Sequence, residues 1–405
     1  MSACRVCGGA LEAFLDFGRM PIANGFLRRE DFASEAFFDL AAAFCERCAL
    51  VQLVEAIPRE RLFHPSYPFF TSSSEAMAAH FERLGAEAMA LAPRGDAIVV
   101  EIGSNDGTLL QPLAAAGIRH LGVEPSAGVA AVARSRGVRT LERFFDEDCA
   151  ARITAEQGEA RLVIATNCFC HVADLDGLGR ALERLLAPDG VIVFEDPYLG
   201  EILAKTAYDQ FYDEHVSYFS LDSVTRWLAR HGLEVLDARP QEVHGGSMRY
   251  TVARRGRLEP SSAVAAWRAR EALAGLGRIE PLVAFRSRVE RSREELVALL
   301  RGARDEGRRV VGYGATSKST TVLNYCAIGS DLVEFVSDTT PAKQGRYTPG
   351  THIPVRRPEE FASRYPDYAL LFAWNHASEI FAKERAFRAA GGRWIAYVPG
   401  VAVLD

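Results

Sequence analysis

The feature that most constrains the fold is an apolar run ending in a turn with two glycines, Val99-Val-Glu-Ile-Gly-Ser-Asn-Asp-Gly-Thr108. Gly103 and Gly107 permit a tight reversal between a buried strand and the helix that follows it. Similar apolar runs alternate with stretches of helical periodicity. The runs cover 119–124, 162–166 and 191–195, and the helical stretches cover 108–116, 127–136 and 175–187. This alternation predicts a doubly wound α/β sheet of parallel strands.

The chain beyond this block changes character twice. Strand patterns at 233–238 and 248–254 are separated by Gly245-Gly246 without room for a helix, so we expect an antiparallel hairpin. Residues 261–306, rich in Ala, Leu, Glu and Arg, have the periodicity of one or two amphipathic helices. A second strand series then covers 309–313, 333–337, 369–373 and 393–398. We therefore expect a second Rossmann-like domain.

The N-terminal segment lacks long periodic helices, and we expect residues 1–75 to be an irregular, metal-organised domain that also contacts substrate. The predicted domains are 1–75, a cofactor-binding domain over 76–258, and the helical connection with a C-terminal α/β domain over 259–405. The fold class is therefore α/β with a small zinc-binding domain at its start.

Eight cysteines separate into two groups. Cys4-x-x-Cys7 and Cys45-x-x-Cys48 form two pairs whose spacing can place four thiolates on one tetrahedral zinc ion. A redox dithiol is the alternative, but it would explain only one pair. Four protein ligands leave no open position for substrate, so we expect a structural zinc. The remaining cysteines should line the core or the pocket, namely Cys149, Cys168, Cys170 and Cys326.

Charge and hydropathy exclude several classes of partner. The net charge of -6 and pI near 5.9 argue against a polyanion binder, so we expect no nucleic-acid partner. No run approaches the length of a membrane span and the first residues lack the apolar core of a signal peptide. We therefore expect a cytoplasmic protein without membrane contact, and a monomer, although an oligomer stays open.

The glycine turn predicts the cofactor. Dinucleotide folds place G-x-G-x-x-G against a pyrophosphate, whereas here Glu101 precedes G-S-N-D-G, and acidic side chains suit the cationic sulfonium of S-adenosylmethionine. Glu124 ends the next strand, where a carboxylate can accept bonds from ribose hydroxyls. The predicted cofactor contacts are Glu101, Gly103, Ser104, Asn105, Asp106, Gly107, Glu124 and Asn167.

The segment Phe211-Tyr-Asp-Glu-His-Val-Ser-Tyr-Phe219 follows the strand ending at Glu195 and is the predicted catalytic site. His215 could remove a proton from a carbon beside a ketone, because imidazole titrates near neutral pH. Glu214 could orient that ring, and Tyr212 or Tyr67 could donate to the enolate oxygen. The alternative is a loop in which these side chains only form hydrogen bonds with one another and have no catalytic role.

Two further groups are candidate substrate contacts. His171 follows the strand at 162–166, beside Asn167, at the same sheet edge. In the C-terminal domain, Gly312-x-Gly314 and Lys318 open a second strand-to-helix turn, with Asn324 further along the helix, and could hold a pyrophosphate. The alternative is a scaffold that only closes the active cleft. His376 could likewise be a substrate contact or part of that scaffold.

Four motifs in this order resemble the bacterial nucleotide-sugar C-methyltransferases of deoxysugar pathways across nearly the whole chain. They are Cys4-x-x-Cys7, Glu101-Ile-Gly-Ser-Asn-Asp-Gly107, Tyr212-Asp-Glu-His215 and Gly312-Tyr-Gly-Ala-Thr-Ser-Lys318. The resemblance implies methylation of C-3 in a dTDP- or GDP-linked 4-keto-6-deoxy sugar, with S-adenosylmethionine as methyl donor. It also implies that His215 is the base, with Tyr67, Tyr212 and Glu214 around the sugar and Asn167 and His171 contacting it.

Phe69 departs from the family pattern, in which we expect a second aromatic hydroxyl, and this leaves the role of its segment open. Two alternative functions share parts of this pattern. Two Rossmann-like halves are also found in nicotinamide-dependent nucleotide-sugar oxidoreductases. A nonenzymatic zinc protein that binds nucleotide sugars would leave the Tyr-x-Glu-His cluster purely structural.

Overall fold

The computed structural model describes residues 3–63, 71, 75–92 and 97–404. Its strands in chain order are β1 (Glu12–Pro21), β2 (Phe37–Cys45), β3 (Leu50–Leu53), β4 (Ile98–Ile102), β5 (His120–Val123), β6 (Thr140–Leu141), β7 (Ala160–Thr166), β8 (Leu186–Pro197), β9 (Ser217–Tyr218), β10 (Leu233–Gln241), β11 (Ser247–Arg254), β12 (Val310–Tyr313), β13 (Val336–Ser337), β14 (Val355–Arg356), β15 (Tyr368–Leu371), β16 (Arg393–Ala396) and β17 (Ala402–Leu404). In the described part of the chain these strands form three sheets.

The α-helices lie between the strands and after the central sheet. They are α1 (Arg59–Leu62), α2 (Glu75–Leu91), α3 (Gln111–Ala115), α4 (Ala127–Ser135), α5 (Glu147–Gln157), α6 (Leu175–Leu185), α7 (Leu199–Ala204), α8 (Leu221–Ala229), α9 (Ser262–Ala274), α10 (Glu280–Asp305), α11 (Ser317–Tyr325), α12 (Pro358–Ser363), α13 (Ala377–Lys383) and α14 (Arg385–Ala389). None of the helices in the described ranges is long and apolar enough to span a membrane.

The central sheet has the strand order β10-β11-β8-β7-β4-β5-β6. Strands β4 to β8 pair in parallel, whereas β11 is antiparallel to both β8 and β10. All five residues of β4 are buried, as expected for a strand covered by helices on both faces. The predicted α/β sheet and the hairpin at its edge are both confirmed.

Side-chain caps define where the helices of this sheet begin. The carboxylate of Asp174 accepts a hydrogen bond of 2.8 Å from the backbone N–H of Gly177, satisfying a donor that the first turn of α6 leaves free. Leucines at helical spacing then bury one face of α6 against the sheet, among them Leu178, Leu182 and Leu185. The loop between β7 and α6 is thereby held at the carboxyl edge of the sheet.

The expectation that residues 1–75 are irregular is wrong. Strands β1, β2 and β3 form an antiparallel sheet, and its fourth strand is β9, which follows His215 directly. Val51 pairs with Tyr218, and Gln52 pairs with Ser217. Register shifts between Ala13 and Leu15 and between Asp16 and Arg19 break the alternation of buried and exposed residues along β1, so its pattern does not indicate a strand. This N-terminal sheet therefore packs directly behind the predicted catalytic segment.

The C-terminal sheet has the order β14-β13-β12-β15-β16-β17, parallel except for the β16–β17 pair. It confirms the second α/β series, and α9 and α10 confirm the helical connection. The carboxyl end of β12 faces the carboxyl end of the central sheet across a shared cavity, and α11 begins there.

Candidate active site

A cavity of about 1640 Å³ lies where the three sheets meet. Sites for one small ligand typically occupy roughly 300–1,000 Å³, so this volume suits two ligands side by side. Most of the predicted site residues line it: Glu101, Gly103, Ser104, Asn105, Glu124, Asn167, His171, Tyr212, Glu214, His215 and Lys318. His376, ambiguous in the sequence, lines it as well.

Four predicted residues do not line the cavity: Asp106, Gly107, Gly314 and Asn324. Asp106 is fully buried under the turn and forms an ion pair of 3.2 Å with Arg136. The Asn324 amide donates to the carbonyls of Thr320 and Pro349, at 2.8 and 3.0 Å. These residues build the framework of the site. Tyr67, the other predicted donor, and Phe69 lie outside the described residues.

The turn after β4 requires its two glycines. Gly103 has a φ of +71°, and a Cβ there would lie 2.9 Å from the Cys168 sulfur. Gly107 has a φ of +77°, and a Cβ there would lie 2.9 Å from a methyl group of Val138. Both positions combine left-handed backbone with close packing, so a side chain at either would displace the turn that forms the cavity floor.

Two carboxylates make this end of the cavity suited to a cationic ligand. Glu124 accepts hydrogen bonds from the backbone N–H groups of Asn105 and Ser126, at 3.1 and 2.8 Å. Oε2 of Glu101 is buried and has no hydrogen-bond partner among the described residues. Burial, reinforced by the negative charges of Asp106 and Glu124, raises the pKa of Glu101 well above its usual value. A bound cation would offset that cost and leave Glu101 ionised.

The hydrogen bonds of His215 define its tautomer. Its Nδ1 lies 3.1 Å from the carbonyl oxygen of Gln210, which can only accept, so Nδ1 carries the proton. Its Nε2 then has the free lone pair and accepts a bond of 2.7 Å from the Tyr212 hydroxyl. Both ring nitrogens are therefore bonded to groups other than Glu214, which the sequence had suggested as the orienting partner. Burial, with the nearby His171 and Lys318, lowers the pKa of His215 well below its usual value.

Glu214 is held by the N-terminal sheet. The Asn24 side-chain amide donates a hydrogen bond of 2.6 Å to Oε1 of Glu214, and the backbone N–H of Ala23 donates to Asp213 at 3.1 Å. Asn24 itself lines the cavity. The loop after β1 thus supplies a wall of the site and orients one predicted catalytic side chain.

His171 and Asn167 lie between the cofactor turn and His215. The His171 ring is stacked on that of His215 at 5.3 Å and on Phe63 at 5.4 Å, and burial lowers its pKa to about 4. Nε2 of His171 and Oδ1 of Asn167 are buried without a hydrogen-bond partner in the described ranges. Asn167 also has a φ of +49°, a strained backbone typical of functional positions. Both side chains are available to a ligand.

The opposite wall carries positive charge. The buried Lys318 lines the cavity at the start of α11, beside Thr316 and Ser317, and Lys343 lines it from the loop after β13. Burial lowers the pKa of both lysines, and Glu214 is a nearby negative charge for each. Two enclosed ammonium groups at a helix N-terminus favour an anionic ligand.

The four predicted zinc ligands come together behind this site. Their Sγ atoms lie within 4.8 Å of one another, with Cys4 3.1 Å from Cys48 and Cys7 3.5 Å from Cys45. The hydrogen bond from Cys48 lowers the pKa of Cys4 to about 5. Sulfur atoms on a tetrahedral zinc ion lie roughly 3.8 Å apart, given bonds of about 2.3 Å, so the cluster fits the ion. Cys149, Cys170 and Cys326 are buried, and Cys168 lines the cavity.

Sequence reasoning missed several residues of the site: Asn24, Gln210, His244 and Lys343. In the sequence Asn24 stands in the loop at 20–24, and nothing in that loop indicates a bond to Glu214. Gln210 acts through its main-chain carbonyl, which every residue has, so no side-chain pattern could indicate it. His244 lines the cavity with a φ of +54°, a feature that only the backbone reveals.

Comparisons with known proteins agree with this architecture. Three families match in order along the chain: "Putative zinc binding domain" over residues 4–63, "Methyltransferase domain" over 73–238 and "C-methyltransferase C-terminal domain" over 242–399. C-methyltransferase NovU of Streptomyces niveus is 38% identical over 410 residues, covering 99% of this chain and 96% of the relative. A ubiquinone biosynthesis O-methyltransferase of Azorhizobium caulinodans is 29% identical over 120 residues, covering 29% of this chain and 46% of that protein.

Among solved structures, a SAM-dependent methyltransferase from Anabaena variabilis superposes with a TM-score of 0.37 at 17% identity, covering 47% of this chain and 89% of that one. The sheet, the acidic cofactor turn and the matched domains define an S-adenosylmethionine-dependent methyltransferase with an N-terminal zinc-binding domain. Because the similarity to NovU extends over the full chain, the protein belongs to the C-methyltransferase family. This membership argues against both alternative functions, the nicotinamide oxidoreductase and the nonenzymatic zinc protein.

Proposed function

We propose that the protein methylates C-3 of a nucleotide-linked 4-keto-6-deoxy sugar and that His215 is the base. The observation that carries the proposal is the hydrogen-bonding of His215. A neutral imidazole has its lone pair on Nε2 and is paired with a phenol. It lies in a cavity between an acidic cofactor turn and two lysines, the buried Lys318 and the half-buried Lys343. When bound, S-adenosylmethionine supplies an electrophilic methyl group, and Oε2 of Glu101, which has no hydrogen-bond partner among the described residues, suits its positive charge.

The chemistry requires a carbanion, because a ring carbon is not a nucleophile until it loses a proton. His215 Nε2 takes the proton from C-3, and the electrons of the C–H bond move into an enolate whose charge rests on the C-4 oxygen. Proton transfer requires that bound substrate first displaces the Tyr212 hydroxyl from Nε2, and that hydroxyl then donates to the C-4 oxygen. C-3 forms the new bond to the methyl carbon, the carbon–sulfur bond electrons stay on sulfur, and His215 later releases its proton to solvent.

The two lysines support the nucleotide part of the substrate. Lys318 and Lys343 line the cavity with Thr316 and Ser317, beside the N-terminus of α11. Their positive charges and these hydroxyls suit a diphosphate. We expect K318M and K343M each to raise KM for the nucleotide sugar by roughly 10- to 100-fold, since a charged hydrogen bond contributes about 1.5–3 kcal/mol. The exposed Lys383 offers the matched control K383M.

Deuterium exchange tests the base separately from methyl transfer. In D₂O with S-adenosylhomocysteine and a panel of dTDP- and GDP-linked 4-keto-6-deoxy sugars, wild-type protein should exchange the C-3 proton of its substrate. With S-adenosylmethionine the same sugar should gain one methyl group by mass. H215Q should lose both reactions by about 10²- to 10⁴-fold, whereas H352Q, at a residue that does not line the cavity, should retain them. Methylation at another position, or exchange by H215Q at the wild-type rate, would reject the proposal.

A further inference from the structure

The main-chain segment 208–211, called here the support segment, carries the group that sets the tautomer of His215. The carbonyl of Gln210 accepts from Nδ1 of His215 at 3.1 Å and from the Tyr218 hydroxyl at 3.4 Å. A neutral imidazole has one N–H, so the position of this carbonyl decides which ring nitrogen keeps the lone pair. If the carbonyl moves away, the proton can shift to Nε2 and the nitrogen facing Tyr212 can no longer accept.

Residues of the C-terminal sheet hydrogen-bond to a buried carboxylate of this segment. Oδ2 of Asp209 accepts hydrogen bonds of 2.6 Å from both Nε1 of Trp374 and the hydroxyl of Tyr397. Asp209 has no exposed surface, and a buried carboxylate is costly unless donors surround it. Trp374 follows β15 and Tyr397 follows β16, so the position of the C-terminal sheet fixes the position of Asp209.

Helix α11 also hydrogen-bonds to the support segment. The hydroxyl of Thr321 donates to the carbonyl of Phe211 at 2.8 Å. The neighbouring Thr320 hydroxyl donates to the carbonyl of Ala23, also at 2.8 Å, next to the Asn24 that holds Glu214. One turn of α11 therefore bonds both to the segment that precedes His215 and to the loop whose Asn24 holds Glu214.

We propose that the C-terminal sheet and α11 supply positioning residues for the base: Tyr397 and Trp374 through Asp209, and Thr321 through Phe211, keep the Gln210 carbonyl where it selects the Nδ1–H tautomer of His215. This inference rests on the proposed role of His215. It gives the C-terminal part of the chain a function beyond binding substrate or closing the cleft, since it holds the catalytic imidazole in its accepting form before substrate arrives.

The test uses full-length zinc-loaded protein with T321V and Y397F, each of which deletes one hydroxyl. Tyr368 supplies the control Y368F, because its hydroxyl bonds to Arg393 away from the cavity. The ring nitrogens of ¹⁵N-histidine-labelled protein are recorded without substrate at pH 7.5, and His215 is assigned from the signals missing in H215Q. Wild type and Y368F should show a single Nδ1–H tautomer, whereas T321V and Y397F should add the Nε2–H form.

Kinetics give the second readout. T321V and Y397F should lower kcat for methylation about tenfold or more while KM for both substrates changes less than about threefold, as expected when a reacting group is misplaced. T321S keeps the hydroxyl and should restore the wild-type tautomer and rate. A single wild-type tautomer in both variants, whatever their melting temperatures, would overturn the proposal. Because the tautomer is measured without sugar, a failure of the proposed substrate would appear separately, as absent exchange in the wild type.

Discussion

The side-chain amide of Asn24 donates a hydrogen bond of 2.6 Å to Glu214, a residue 190 positions away in the chain. One partner belongs to the loop after β1 of the N-terminal sheet, and the other stands next to His215. The same loop and the same catalytic segment are also linked by Ala23 and Asp213. The zinc-binding domain thus lines the candidate active site, because its loop bonds to a carboxylate in the cavity.

Replacing Asn24 should therefore affect chemistry more than folding. We expect N24A to lower kcat about tenfold, because the buried Glu214 loses a donor worth roughly 1.5 kcal/mol and its oxygen turns elsewhere. KM for S-adenosylmethionine should not change. Steady-state methylation assays check this, with Q111A, an exposed residue of α3 that does not line the cavity, as control. A fall in the melting temperature of N24A large enough to account for its loss of activity would indicate a merely structural contact.

Cofactor binding should release a proton from Glu101. Burial and the neighbouring negative charges of Asp106 and Glu124 raise the pKa of Glu101 in the free protein, whereas a bound cation favours the carboxylate. Affinity for S-adenosylmethionine should consequently rise with pH. Titration calorimetry in buffers of different ionisation enthalpy measures the proton directly. E101Q should abolish the release and weaken binding about tenfold or more, while leaving the free protein at least as stable as wild type.

Loss of one zinc ligand should unfold the N-terminal sheet. A serine at position 7 is a poor ligand, so C7S should bind less than one equivalent of zinc. Its melting temperature should fall by about 10 °C or more, because structural zinc contributes several kcal/mol and each shifts Tm by roughly 2–4 °C in large domains. The buried Cys149 lies apart from the cluster, and C149A should retain one zinc per chain. Metal analysis and thermal denaturation check both; a full zinc complement in C7S would contradict the assignment.

Tyr212 and His215 should behave as one unit. Their hydrogen bond of 2.7 Å means that removing either group disables the pair. Y212F should lower kcat about 10²- to 10³-fold, the loss typical of one oxyanion donor, and H215Q by a comparable or larger factor. The double variant should be no slower than the slower single variant, because coupled groups are not additive. Rate losses that multiply in the double variant would show that the two residues act independently.

His171 should make the protein sensitive to mild acid. Its pKa falls from about 6.5 when unfolded to about 4 in the fold because of burial, so the unfolded chain binds more protons below pH 6.5. Stability from this group is present above pH 6.5 and is lost as the pH falls, by about 2 kcal/mol between pH 7 and 5. Chemical denaturation at both pH values should show a smaller acid loss for H171Q than for wild type. An equal loss in the two proteins would contradict this account.

Much of the site could be read from local patterns. The turn at Gly103 and Gly107 and the cysteine pairs are contiguous motifs, and each requires particular residue types for steric or bonding reasons. Asp106 was assigned to the cofactor because it stands in the same motif, yet it is buried against Arg136. Asn324 was assigned to a phosphate from its place after Lys318, yet it bonds to the loop at Pro349. A motif identifies a segment but not the direction of each side chain within it.

Local sequence patterns specify the α/β class, the zinc ligands and the position of the cofactor turn, because strand periodicity, C-x-x-C spacing and glycine conformation act over a few residues. Long-range packing sets the tautomer of His215 and the partner of Glu214. Those depend on a main-chain carbonyl at Gln210 and on Asn24, brought together by three sheets that meet only after folding. Hydrogen bonds of 2.6–3.1 Å between distant segments leave no trace in local spacing, so only packing reveals them.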